Sequence, residues 1–150
     1  MFYEIEMVPD HINSIVNAVN RVRNKQNITV DLFFNISEYF EKVDRSKITR
    51  SDLIKKFMHQ VKAVEATGCN VTHTVYNKLA PLTMVDYRRD LNYFGCADTD
   101  YVIWGESDAL LPEQAFEVLE NIKNYATQNN VNKYVVTFAL RKTFEWNKRK

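Results

Sequence analysis

Residues 49–76, TRSDLIKKFMHQVKAVEATGCNVTHTVY, carry the pattern from which the rest of the chain can be read. Leu53, Phe57, Val61 and Val64 recur every three or four positions, which predicts a helix with one apolar face. Thr49 or Ser51 can cap its start by accepting a backbone N–H, and Gly68 stands where a chain leaving a helix turns left-handed. Beyond the glycine, Asn70 to Tyr76 (NVTHTVY) is β-branched enough to predict a short strand. Upstream, Ile28 to Ile36 (ITVDLFFNI) predicts a second, largely buried strand, and the polar stretch through Arg45 reads as loop or irregular helix.

The same alternation extends in both directions. Phe2 to Val8 reads as a strand, and Pro9-Asp10 opens a helix with Ile12, Ile15, Val19 and Val22 at helical spacing. Lys78 to Leu82 reads as loop, and Met84, Tyr87, Leu91 and Phe94 as the buried face of a further helix. Tyr101 to Gly105 (YVIWG) has the look of a buried strand. Pro112 fits the first turn of a helix, with Glu113 near the positive end of its dipole and Ala115, Leu119, Ile122 and Ala126 inward, reaching about Asn129. Tyr134 to Leu140 (YVVTFAL) reads as the last strand, before a basic tail, Arg141 to Lys150. Strands alternating with helices predict one α/β domain over residues 1–150: a three-layer α/β/α arrangement with a mostly parallel, Rossmann-like sheet. Ligands of such folds sit beyond the carboxyl ends of the strands. Glu4 and Glu6 conflict with a first strand buried on both faces.

Composition narrows the function classes. The 150 residues are 45% hydrophobic, with only three glycines and three prolines, which fits an ordered domain with a core. Twenty basic against nineteen acidic residues leave +1, so no global field draws the chain to nucleic acid or an anionic membrane, and no apolar run is long enough to cross a bilayer. Cys69 and Cys96 lack the spacing of a zinc or redox pair and read as buried thiols in a reducing compartment. The N-terminal residues have no basic region ahead of an apolar one, so a cytoplasmic protein, cellular or virus-encoded, is expected.

Glu106-Ser107-Asp108 is the most informative segment, because two carboxylates one residue apart at a strand end can aim at one point. A hard cation such as Mn²⁺ or Mg²⁺ prefers such oxygen donors and keeps waters or substrate phosphates in its other positions. The alternative is a plain helix cap, with Ser107 or Asp108 accepting backbone N–H groups.

Residues 100–122, DYVIWGESDALLPEQAFEVLENI, resemble the metal-binding segment of GT-A glycosyltransferases of the inverting family-2 type: an apolar strand, an Asp-x-Asp triplet, a Leu-Pro pair and a helix. Residues 87–102, YRRDLNYFGCADTDYV, resemble the helix this family carries before that strand, with Arg89-Asp90 near its Arg-Asn pair. The likeness spans roughly residues 2 to 140 and is sharp over Tyr101 to Ile122. The chain departs from the pattern in Glu106, where the family has Asp, and in Phe34-Asn35-Ile36-Ser37, where it has an acidic pair and Gly-Ser.

The resemblance implies transfer of a sugar from a nucleoside-diphosphate sugar to an acceptor hydroxyl, assisted by a divalent metal and inverting at the sugar carbon. It implies that Met7, Val8, Pro9 and Asp10 line the nucleotide pocket, Asn35 approaches the base, Arg89 approaches the diphosphate, and Glu106 and Asp108 hold the metal. Bland alternatives stand beside these roles: a helix start at Pro9-Asp10, a turn at Asn35, a solvated Arg89. It implies too that the acceptor-binding half and the catalytic base lie outside this chain, so that a homo-oligomer or another chain completes it. Glu145 has no motif that makes it the base. His11, His59 and His73 show no metal-ligand spacing, and His59 is expected on a helix surface. The other readings are a nucleotide- or sugar-phosphate-binding module without transfer activity, and an interaction module whose acidic turn is a helix cap.

Overall fold

Thr49, one of the two cap candidates, starts the central helix. In the computed structural model, which describes residues 8–35, 49–76, 85–86, 89–90, 93, 99–103, 105 and 109–137, the chain forms helix α1 (Val8–Asn20), strand β1 (Thr29–Asn35), helix α2 (Arg50–Glu65), strand β2 (Asn70–Tyr76) and helix α3 (Ala115–Gln128). A short 3-10 turn, Lys25–Asn27, leads into β1.

The Thr49 hydroxyl oxygen accepts the Asp52 N–H, while the Asp52 carboxylate accepts from the Thr49 N–H and hydroxyl, a reciprocal capping box. Leu53, Phe57, Val61 and Val64 then fall on one buried stripe. At the other end the last turn tightens, Thr67 N–H bonding Val64 C=O and Gly68 N–H bonding Glu65 C=O, before Gly68 turns at φ +86°.

β1 and β2 pair in parallel, with Thr29 opposite Asn70 and Asn35 opposite Tyr76. Because strand side chains alternate, Val30, Leu32 and Phe34 share a face with Val71, His73 and Val75. That face meets the helices: Leu32 and Phe34 join Ile12 of α1 and the α2 stripe in one hydrophobic cluster, edged by Val8, Ile15, Val16 and Val75. Phe34 stacks on Phe57 at 4.7 Å between ring centroids, and His73 meets Phe57 edge-on at 6.3 Å. On the opposite face the Thr72 hydroxyl bonds the Asp31 carboxylate across the strands. β1 is therefore buried on one face rather than throughout, since Thr29 is exposed and Asp31 and Phe33 are half-exposed.

By its contacts the chain divides into two units, Met1–Phe116 and Glu117–Lys150. The hydrophobic cluster belongs to the first. In the second, α3 ends in a Schellman motif: Val131 N–H reaches Ala126 C=O at 2.8 Å, Asn130 N–H reaches Thr127 C=O, and Asn130 takes φ +56°. The expected inward residues of α3 hold in graded form, with Ala115 and Ala126 buried and Leu119 and Ile122 half-buried.

The structure is thus a mixed α/β one with a small parallel sheet, and it departs from the sequence reading at several places. Val8, expected to end the first strand, is helical, and Phe2 to Met7 lie outside the described residues. Tyr101, Val102 and Ile103 form no strand and are 38%, 43% and 40% exposed, so they are not a buried run. Tyr134 to Thr137 likewise form no strand, the rest of that expected element lying outside the described residues. Short apolar runs predict a strand only where a neighbouring edge takes up their N–H and C=O groups, which composition cannot reveal. Pro112 precedes α3 instead of entering it: its carbonyl accepts the Ala115 N–H at 2.9 Å, and the helix begins there. Ile36 at the end of the expected strand, the expected loops at 37–45 and 78–82 and the residues Met84, Tyr87, Leu91 and Phe94 lie outside the described residues, although Val85, Asp86, Arg89, Asp90 and Tyr93 have helical backbone. Cys69 is half-buried rather than buried, and Cys96 is outside the described residues. Among the described residues no helix is long and apolar enough to cross a membrane.

Candidate functional site

α1 works on two sides. At 3.6 residues per turn, Val8, Ile12, Ile15 and Val19 fall on one stripe, and Ile12 and Val19 are buried. His11, Ser14 and Arg21 fall on another, and each of them contacts the segment from Gly105 to Glu113.

The His11 ring lies at the head of this second stripe. Its Nδ1 is 2.5 Å from the Ala109 carbonyl oxygen. A carbonyl only accepts, so Nδ1 carries the proton and donates. On the same side of the ring, a side chain at Gly105 would begin 3.2 Å from His11 Cε1, so the close approach is suited to a residue without one. One turn on, Ser14 Oγ donates to the His11 carbonyl at 2.6 Å and accepts the Leu111 N–H at 2.9 Å. Farther along, Arg21 lies 3.6 Å from Glu113 with both side chains about half exposed, which makes this pair worth no more than about 1 kcal/mol. Residues 109–113 therefore follow α1 from its first turns to its end.

Glu106, Ser107 and Asp108 are outside the described residues, and so is Met7. Their neighbours in sequence are not: Ala109 accepts a hydrogen bond from His11, and a side chain at Gly105 would crowd the same ring. Val8, Pro9 and Asp10 form the first turn of α1, Val8 half-buried against the hydrophobic cluster and Pro9 and Asp10 exposed. The structure thus brings the residue following Asp10 onto the flanks of the acidic triplet, across 98 positions of sequence. Asn35 ends β1 at the carboxyl edge of the sheet, opposite Tyr76. Arg89 ion-pairs with Asp86 at 3.1 Å and Asp90 at 3.6 Å, both in its own segment. Among the described residues no group of three or more His, Cys, Asp or Glu side chains gathers as a metal site; Glu106 and Asp108 would bring the carboxylate oxygens that a hard cation takes.

Sequence reasoning passed over His11, reading it only as a histidine without metal-ligand spacing. Nothing local marks it, because its partners are remote in the chain; the signal that existed was the small residue Gly105 immediately before the triplet. His59 is exposed on α2 as expected. No known protein family, curated protein sequence or solved structure matches the chain.

Proposed function

We propose that the chain is the donor-binding part of a metal-assisted, inverting glycosyltransferase of GT-A, family-2-like type. It takes a nucleoside-diphosphate sugar and passes the sugar to an acceptor hydroxyl. The observation that supports this reading is the hydrogen bond from His11, in the first turn of α1, to Ala109, the residue that follows Glu106-Ser107-Asp108. A parallel strand–helix–strand unit, β1–α2–β2, accompanies it, as nucleotide-binding α/β folds require. In this reading the sheet widens beyond its two described strands into a Rossmann-like three-layer arrangement.

In this role Val8 to Asp10 form the wall of the nucleotide pocket, Asn35 approaches the base from the strand end, and Arg89 leaves its acidic neighbours for the diphosphate. Glu106 and Asp108 would hold Mn²⁺ or Mg²⁺, which when bound offsets charge on the departing diphosphate. The acceptor-binding half and the carboxylate base of such a transferase lie outside these residues.

Calorimetric titration with uridine and guanosine diphosphates, with and without Mn²⁺, tests this on the native chain and on Asp108→Ala. Metal-dependent binding that the substitution removes is expected; binding indifferent to both would overturn the reading. The exposure of Tyr101 to Ile103 favours a second reading, a nucleotide- or sugar-phosphate-binding or interaction module without transfer, since an enzyme of this family buries that stretch as a strand. Metal-dependent binding with no sugar transfer to any acceptor would favour the second reading.

A further inference from the structure

We propose that one surface of the first unit, formed by the outer side of α2 and the turn that precedes β1, docks on the phosphate backbone of double-stranded nucleic acid. The residues concerned are separate from those of the donor-site reading, and neither depends on the other. No acidic residue occurs between Asp10 and Asp31 or between Asp52 and Glu65, whereas Arg21, Arg23, Lys25, Lys55, Lys56 and Lys62 fall in those two runs. The whole chain carries +1, so these six cations stand against −5 on the remainder. A near-neutral total thus conceals a local basic field.

Folding brings the two runs together. Gln26 Nε2 donates to the Gly68 carbonyl at 2.9 Å, and Asn70 Nδ2 donates to the Gln26 carbonyl at 2.9 Å, which fastens the turn after α1 to the chain leaving α2. Arg23 and Lys25 therefore lie toward the end of α2 that carries Lys62. Lys55, Lys56 and Lys62 are exposed, on the side of α2 away from its buried stripe. Lys25 donates to the uncharged amide oxygen of Asn20, and the Lys55–Asp52 pair, at 3.9 Å and well exposed, is weak enough for a phosphate to displace. Arg21 is the cation already matched, by Glu113. Of the bordering acids, Asp52 is engaged by the Thr49 cap and Asp31 by Thr72 on the opposite face of the sheet, and Asp10 lies in the first turn of α1; Glu65 marks the edge of the surface.

The chemistry of this surface narrows its partner. The exposed large hydrophobic side chains among the described residues fall between Val85 and Val135, outside both runs. Protein interfaces are anchored by aromatic residues, interfacial membrane helices by an apolar face, and single strands by stacking on aromatic rings. A duplex backbone requires none of these. Its phosphates are evenly spaced, and cations that neutralise them release condensed counterions, which drives binding without reading sequence.

The test is anisotropy titration of the native chain with labelled DNA and RNA duplexes of about 20 base pairs, from about 0.05 to 0.2 M salt. Four or five phosphate contacts predict that log K falls against log salt with a slope of about −4, equally for unrelated sequences. The tighter of the two duplexes identifies the source. Arg23→Ala, Lys56→Ala and Lys62→Ala should each reduce the slope by about 1, with native far-ultraviolet circular dichroism. Replacing Lys148, Arg149 and Lys150 together by alanine, in the other basic stretch of the sequence, should leave the slope unchanged. A flat salt dependence would overturn the proposal, as would native binding in the three single variants. Equal affinity for phosphatidylserine vesicles or for polyglutamate would also overturn it, in favour of a membrane surface or an acidic protein. None of these outcomes bears on metal-dependent nucleotide binding, so the donor-site reading stands or falls separately.

Discussion

Thr49 and Asp52 show how much one residue pair decides at the start of a helix. The Thr49 hydroxyl and N–H bonded to it, helped by the charges of Lys55 and Lys56, hold the Asp52 carboxyl below its ordinary value. A carboxyl with a lowered folded value stabilises the native state above its unfolded pKa, and this contribution fades as pH falls through the acid carboxylate range. Urea midpoints followed from neutral to acid pH should therefore fall less steeply in Asp52→Asn than in the native protein. Thr49→Ala, which leaves the Asp52 N–H without its capping oxygen, should lower stability by about 1 kcal/mol in the same measurement at neutral pH. At this scale the sequence was informative: the cap was legible as one of two candidates because a helix start needs a side-chain acceptor, and geometry then selected Thr49 over Ser51. His11 was illegible for the opposite reason. Its hydrogen bond is to a backbone carbonyl, a group that any sequence contains and that acquires meaning only when folding brings it near.

Among the elements, the strongest regularities were readable and the weakest were not. α2 combines a cap, a repeating apolar stripe and a terminal glycine, three signals that agree, and it was found with its boundaries nearly intact. β1 and β2 carried β-branched runs bounded by turns, and both formed. Tyr101 to Ile103 and Tyr134 to Thr137 had the same composition without a strand, since pairing is a property of the neighbour as much as of the run. The buried stripe of α2 gives a direct test: Leu53→Ala should cost about 2–5 kcal/mol in equilibrium unfolding, because Leu53 is fully enclosed. The two left-handed residues give a paired one. Gly68→Ala meets no neighbouring atom, so its expected loss of about 1 kcal/mol comes from backbone conformation alone. Asn130→Gly should stay within about 0.5 kcal/mol of the native protein, whereas Asn130→Val should lose about 1–2 kcal/mol, as read from urea midpoints.

For the whole molecule, the division into Met1–Phe116 and Glu117–Lys150 matters more than the count of elements. The described hydrophobic cluster, drawn from α1, β1, α2 and β2, lies in the first unit. In the second, Ala126 is the buried hydrophobic residue among the described ones, and Tyr125 and Val135 are strongly exposed. Regions with few buried apolar contacts open at lower free energy than the global transition. Native-state hydrogen exchange should accordingly find the amides of Leu119 to Gln128 exchanging well before those of Val61, Val64 and the β1–β2 ladder. Equal protection would mean that the two units unfold as one. The sequence predicted one domain and offered no sign of this division, because α3 has an ordinary amphipathic pattern and no glycine- or proline-rich linker precedes it.

The second stripe of α1 also has a consequence in time. The β1–β2 register closes a loop of about forty residues, 41 positions from Thr29 to Asn70, whereas His11 meets Ala109 over 98. Contacts between distant positions carry the larger closure cost and tend to form after nearer ones have condensed. The strip from Ala109 to Glu113 should then settle onto α1 late, on the native side of the folding barrier. Breaking its anchor should leave the refolding rate almost unchanged and speed unfolding instead. Stopped-flow measurements on His11→Ala would find the Ala109–Glu113 strip to arrive late and to leave early.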